Sequence, residues 1–181
     1  DSPRYVDDLQ RRAIFEEVRK VCPLTERVWV ISNMNHSNID EAIRYEGIPT
    51  IIQLHGQESP KDCLLLKKRY PKIKFWKALR VQFQEDMAAA RTYAENVDAI
   101  LLDSWDSKAL GGTGRQIPLE WLCKVDFNVP WWLAGGISED WVKTMPISIK
   151  PDGLDASSKI EISPGIKDIG KVKALINAIR E

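Results

Sequence analysis

The chain has 181 residues, 44% of them hydrophobic, which is enough for one well-filled core and for no more than one or two domains. Lys plus Arg (26) balance Asp plus Glu (26), so no net field steers the chain to nucleic acid or to an anionic membrane surface, and a small anionic ligand has to be held by local groups. Its longest apolar runs, 99–102 and 129–134, fall far short of the roughly 20 residues that span a bilayer.

Residues 1–6 read as an extended lead-in, with no secretory signal before the first helix. Leu9, Ala13, Ile14, Val18 and Val21 then predict an amphipathic helix over 6–21 with those residues on one apolar face, and Pro23 ends it. A β-branched and aromatic run predicts a strand over 27–33, followed by a polar loop that holds His36 and a helix over 38–46 stopped by Gly47. Strand 50–56 comes next, then a helix opened by Ser59 and Pro60 that runs to Tyr70 and is closed by Pro71. The rhythm repeats with strand 74–79, helix 83–95, strand 98–103, a short helix over 118–124, strand 129–134, and a helix over 138–145 capped by Ser138. A last strand, 153–156, precedes a C-terminal helix that reaches Arg180.

Short apolar strands alternating with helices, without hairpin signals, make an α/β fold with a parallel sheet of right-handed βαβ units, read as one domain over 1–181. Polar or glycine residues end nearly every strand: Asn33, Gln53 with His55, Asp103, Gly135 with Gly136, and Ser157 with Ser158. In a (β/α)8 TIM barrel that rim is the active site, whereas an open doubly wound sheet concentrates its chemistry at one switch point. The spread favours the barrel. Six strands are two short of eight, and the chain begins at Asp1 without a methionine, so the missing units are expected upstream.

Asp103 ends the buried run Ala99-Ile-Leu-Leu-Asp103. A carboxylate there is partly desolvated, which raises its pKa and suits it to general acid work, although an Asp capping the next turn reads the same way. Gly111-Gly-Thr-Gly114 supplies backbone freedom for close approach to a ligand. Leu133-Ala-Gly-Gly136, just before a helix start, points backbone N–H groups at an anion, and with Ser157 and Ser158 it makes the phosphate site expected of the last two loops of a barrel. Cys22, Cys63 and Cys123 are an odd, widely spaced set without a CxxC pair, which reads as free buried thiols in a reducing cytosol and not as a zinc site.

Taken together, Ser2-Pro-Arg-Tyr-Val6, Gln53-Leu-His-Gly56, Leu101-Leu-Asp103, Gly111-Gly-Thr-Gly114, Leu133-Ala-Gly-Gly136, Asp155-Ala-Ser-Ser158 and Pro164-Gly-Ile-Lys-Asp168 occur in one order across the whole chain. In this the chain resembles the phosphoribosylanthranilate isomerases, the (β/α)8 enzymes of tryptophan biosynthesis. The resemblance implies that Asp103 is the general acid and that Arg4 binds the anthranilate carboxylate. It also implies that Gln53 and His55 line the pocket, that Gly112 belongs to the substrate-binding loop, and that Gly135, Gly136, Ser157 and Ser158 hold the phosphate.

The implied reaction is an Amadori rearrangement of a small phosphosugar in the cytoplasm, with no metal, no organic cofactor, no nucleic acid and no membrane partner. Several features depart from the family. Its members begin with a strand carrying a Lys-Ile-Cys-Gly motif whose cysteine is the general base, then a helix and a second strand. The six strands here would be strands 3 to 8, with the first two supplied by a complementing N-terminal segment. Cys22, Cys63 and Cys123 fall on helices or helix ends and do not replace that cysteine. Lys159 stands where the family has Gly, and Gln116 to Pro118 lengthen the link to Trp121. The alternative reading is a non-catalytic barrel remnant kept for binding or assembly; some other phosphosugar barrel is disfavoured by the Gln-Leu-His-Gly and Gly-Gly-Thr-Gly pair.

Overall fold

Several helix starts are set by capping side chains, and three strand pairs are clamped by the residue before a strand. The structure is a computed structural model that describes residues 2–104, 116–123 and 125–180. Its contacts divide into two units, Asp1–Ala78 with Tyr93–Ala99, and Leu79–Thr92 with Ile100–Glu181.

In the first unit α1 (Asp8–Val21) opens on Asp7, whose carboxylate accepts the Gln10 N–H at 2.8 Å while the Gln10 side chain accepts the Asp7 N–H at 3.1 Å. This reciprocal box satisfies two N–H groups that the first turn leaves over. Strand β1 (Val28–Ile31), helix α2 (His36–Ala42), strand β2 (Ile51–Leu54), helix α3 (Pro60–Arg69) and strand β3 (Lys74–Val81) follow, and the residues of β3 up to Ala78 belong to this unit. Asn35 caps α2, and Ser59 caps α3 with Pro60 in the first turn and Asp62 returning the bond. The strands run parallel in the order β1-β2-β3, with Ile31 opposite Leu54 and Leu54 opposite Lys77. All four β2 residues are buried, as a central strand covered on both faces requires.

The face predicted for α1 is not the one it buries. Leu9 (76%), Ile14 (50%) and Val21 (68%) are exposed, whereas Arg11 and Phe15 face inward. Arg11 wins that position by chemistry. Its guanidinium donates to the carbonyls of Gly47 and Ala42, both at 2.9 Å, and lies 4.6 Å from the Trp29 ring. A planar cation that satisfies two orphan carbonyls and stacks on an indole outweighs the burial of one more aliphatic side chain. The second helix also differs from expectation. It starts at His36 and ends at Ala42, so His36 is helical and not a loop residue; its carbonyl accepts the Tyr70 hydroxyl at 3.2 Å.

The second unit holds most of α4 (Asp86–Ala94) and most of β4 (Ala99–Ser104), then α5 (Leu119–Leu122), β5 (Trp131–Ala134), α6 (Glu139–Thr144), β6 (Gly153–Asp155), β7 (Glu161–Ser163), β8 (Ile166–Lys167) and α7 (Ile169–Arg180). Helix α4 begins three residues later than predicted because the Asp86 carboxylate takes the N–H groups of Gln82 and Phe83, at 2.8 and 2.9 Å, and holds the intervening residues in a turn. Strands β4, β5 and β6 run parallel in that order, with Leu101 opposite Trp132 and Trp132 opposite Gly153. Ile100, Leu101, Leu102, Leu133 and Ile137 are its fully buried core. The antiparallel β7–β8 hairpin contradicts the expectation of no hairpins. Its turn is Pro164-Gly165, the pair that favours a tight reversal.

Three strands are clamped at their starts in the same way. Thr50 Oγ1 accepts the Arg27 N–H, Asp98 Oδ2 the Phe75 N–H, and Asp152 Oδ2 the Trp131 N–H, each at 2.8 Å. In return the backbone N–H groups of Thr50, Asp98 and Asp152 donate to the carbonyls of Arg27, Phe75 and Trp131. No helix among the described residues is long and apolar enough to cross a membrane.

Candidate active site

In the first unit Gln53 and His55 lie at the C-terminal end of β2, two residues apart and therefore on the same side of the strand. Gln53 is buried, and its Nε2 lies 3.3 Å from His55 Nδ1; the His55 N–H donates to the Ile31 carbonyl at 2.8 Å. Beneath them is an ion pair that sequence reasoning missed. Lys77 (2% exposed) and Glu58 (8%) meet at 2.9 Å. Burial pushes the Glu58 carboxyl up, but the Lys77 ammonium and the Asn33 N–H outweigh it and hold the group below its ordinary value of 4.5. The only sequence signal was a lysine in a strand whose neighbours Phe75, Trp76 and Ala78 are all buried. Arg4 is exposed in the turn before α1, where its N–H donates to Ser2 Oγ at 3.2 Å.

The second unit places the other predicted residues. Asp103 is half-buried near the end of β4. Because Leu101, Trp132 and Gly153 are opposite one another, the residues two further on, Asp103, Ala134 and Asp155, share one face of the sheet. Asp155 was part of a recognised motif but had no role assigned. It stands two strands from Asp103, about 10 Å by ordinary strand spacing.

Gly135 and Gly136 follow β5 with φ of +94° and +70°, and a Cβ on Gly135 would fall 2.0 Å from Ser104 Oγ. The glycine turn is thus in contact with the residue next to the candidate acid, at a distance only glycine permits. The helix beyond it contributes less than its sequence promised. Helix α6 has six residues, and Ser138 Oγ already accepts the Trp141 N–H. Ser157 is exposed and Ser158 half-buried; Ser158 opens a 3-10 turn, Ser158–Ile160, in which Lys159 is exposed. Gly112 and the Gly111–Gly114 loop lie outside the described residues.

The thiols correct one expectation. Cys63 is buried and pushed up to about 11 by burial, but Cys22 and Cys123 are exposed at the ends of α1 and α5. A cleft of about 760 Å³ lies on α1 and the turn before β2, lined by Arg12, Glu16, Tyr45 and Ile48 among others, and holds none of the predicted residues.

Parallel strands that alternate with helices and carry their polar groups at the C-terminal strand ends define an α/β enzyme fold of the TIM-barrel type. The comparisons with known proteins specify it. Residues 2–178 match the family PRAI, N-(5′-phosphoribosyl)anthranilate (PRA) isomerase, and the chain belongs to that family. It is similar to the N-(5′-phosphoribosyl)anthranilate isomerase of Thermosynechococcus vestitus, with 38% identity over 97% of this chain and 75% of the relative. The crystal structure of phosphoribosyl anthranilate isomerase from Thermotoga maritima superposes with a TM-score of 0.85 at 28% identity, covering 99% of this chain and 83% of that protein. A further phosphoribosyl anthranilate isomerase, solved in complex with reduced 1-(o-carboxyphenylamino)-1-deoxyribulose 5-phosphate, gives a TM-score of 0.78 at 28% identity and covers 99% of this chain and 82% of that one.

Proposed function

We propose that this chain acts as a phosphoribosylanthranilate isomerase of tryptophan biosynthesis. The reaction converts N-(5′-phosphoribosyl)anthranilate to 1-(2-carboxyphenylamino)-1-deoxyribulose 5-phosphate. An acid protonates the furanose oxygen, the ring opens to an iminium, and a base takes the C2′ proton to give the enolamine, which tautomerises to the ketone. Asp103 is the acid. Arg4 binds the anthranilate carboxylate, Gln53 and His55 line the pocket, Gly112 binds substrate, and Gly135, Gly136, Ser157 and Ser158 hold the phosphate. The observation that carries the reading is the contact of Gly135 with Ser104, which sets a turn suited to anion binding beside the strand end that bears Asp103.

None of the three cysteines is assigned as the base: Cys63 is buried with its thiol pushed up to about 11, and Cys22 and Cys123 lie at helix ends. In this reading β1 to β6 correspond to strands 3 to 8 of one barrel domain, and a complementing N-terminal segment supplies the first two strands and the base. The exposed apolar side chains of α1 support that assignment, as does the position of β1 at the end of the strand order. A small phosphosugar is the partner, no nucleic acid or membrane is engaged, and free thiols suit a reducing cytoplasm.

Asp103→Asn, assayed in the natural protein that carries this chain, tests the assignment. An amide does not donate the ring-opening proton, so turnover is expected to fall by roughly 10²–10⁴ with substrate affinity little changed. Turnover near that of the parent removes Asp103 from the mechanism.

A further inference from the structure

The buried ion pair at the end of β2 has more contacts than a pair that merely neutralises itself needs. The Lys77 ammonium donates to the Gly56 carbonyl at 2.7 Å, to Glu58 Oε2 at 2.9 Å and to the Leu54 carbonyl at 3.4 Å. Glu58 in turn accepts the Gly56 N–H at 3.0 Å and the Asn33 N–H at 2.7 Å. Leu54 and Gly56 are the residues on either side of His55, so one buried cation grips both flanking carbonyls and one buried carboxylate grips the following N–H. The His55 N–H is itself used by Ile31. Asn33, held with φ at 51°, closes the arrangement from β1: its Oδ1 accepts the Gln57 N–H at 2.6 Å. A Cβ on Gly56 would meet that same oxygen at 2.4 Å.

A pair of ions taken out of water costs several kcal/mol each before their attraction offsets it, and a well-packed apolar pair often gives equal stability. What the ions supply here is direction. A protonated amine with three donors selects three acceptors, which an aliphatic side chain does not do. The Gln53 side chain then acts on a strand end that has no freedom left to turn. Its NH₂ group, 3.3 Å from His55 Nδ1, is a donor only, so the contact is a hydrogen bond in the tautomer that carries the ring proton on Nε2.

We propose that Lys77 and Glu58 are positioning residues for His55: together they fix the Leu54–Gly56 backbone so that Gln53 donates to Nδ1, and His55 meets its substrate as an Nε2–H donor. The inference deepens the role given to His55 above and rests on it. The ring does not transfer a proton; it presents one to an acceptor oxygen of the bound phosphosugar. Lys77 and Glu58 act through the backbone, without touching substrate.

The test reads the ring directly and needs no substrate, so its failure is distinguishable from failure of the isomerase reading. Imidazole nitrogen NMR on the natural protein, with a His55→Gln spectrum to assign the resonance, is expected to show Nε2 protonated and Nδ1 unprotonated. The Gln53 side-chain NH₂ protons should exchange slowly. In Lys77→Met the NH₂ exchange is expected to quicken about fivefold to tenfold, the size of one lost hydrogen bond, and the Nδ1–H form to appear. Lys77→Arg keeps a cation and several donors, and should restore the parent spectrum. Glu58→Gln, which preserves shape, provides the same reading if Lys77→Met does not fold, and should show the same change in milder form. A parent ring protonated at Nδ1 overturns the proposal. So does a folded Lys77→Met or Glu58→Gln that melts earlier but keeps the parent tautomer and NH₂ exchange, since that is the behaviour of a brace for stability alone.

Discussion

Replacing Gly135 with alanine separates two costs that the structure places at one position. Gly135 has φ of +94°, and an added Cβ lies 2.0 Å from Ser104 Oγ, 2.7 Å from Ser104 Cβ and 3.0 Å from Ser104 N. The backbone cost of a non-glycine residue there is about 1–3 kcal/mol. Forcing a methyl against Ser104 adds an overpacking cost of about 1–3 kcal/mol. The sum, roughly 2–6 kcal/mol, compares with about 5–15 kcal/mol for the stability of a whole domain, so the variant is expected to be severely weakened. Ser104→Gly removes the two side-chain contacts and leaves the one to backbone nitrogen. The double variant Ser104→Gly with Gly135→Ala should therefore recover the steric share and keep the backbone share. Urea unfolding of the four proteins gives the coupling directly, with midpoints moving at constant slope. A Gly135→Ala protein as stable as its parent, or a double variant that recovers nothing, refutes the close contact between β4 and the turn after β5.

Three other outcomes are expected. Arg4→Ala weakens substrate binding by about 2–5 kcal/mol if the carboxylate pair is desolvated, and Arg4→Lys recovers part of it because a point charge replaces a fork; equal binding by Arg4→Ala and parent, measured by calorimetry, removes Arg4 from the site. Glu58 lies below its ordinary 4.5 when folded, so the stability it contributes is complete above about pH 4.5 and is lost as pH falls through the folded value. Between roughly pH 6 and pH 3 the parent should lose stability more steeply than Glu58→Gln, and equal slopes in denaturant titrations count against the pair. Adding a polypeptide that supplies two strands and a helix should raise the melting temperature of the 181-residue chain by covering the edge of β1, and an unchanged melting temperature sinks the complementing segment.

Much of the fold was legible because its signals are local. Ser59 and Ser138 cap helices where a short polar residue precedes an apolar period, and every parallel strand among the described residues was found from a short apolar run between helices. The errors arise where a distant partner decides. Arg11 displaced the aliphatic face of α1 because the carbonyls of Gly47 and Ala42 and the ring of Trp29 reach it from other elements. Lys77 lies inside a predicted strand, and nothing near it in the sequence names its partners, Glu58 and the Gly56 carbonyl. The hairpin was the avoidable miss, since Pro164-Gly165 states its turn chemistry in two residues. In the site, Asp103 and the glycine pair were visible as strand ends, while Asp155 needed the register of three strands to show which face it shares.

The polar clamps from Thr50, Asp98 and Asp152 separate what evolution is able to vary from what it is not. Each ties two strands together at the end at which they begin, through a side chain that accepts a backbone N–H, and Asp98 holds the Lys67 ammonium at 2.7 Å as well. A strand slipped by one residue would turn its whole inner face outward, and the clamp, being lost in any such slip, penalises every wrong alignment at once. The loops at the opposite ends are thereby relieved of that task. Their length and chemistry are free to drift, or to be exchanged by an engineer, while the strands that carry them stay in step.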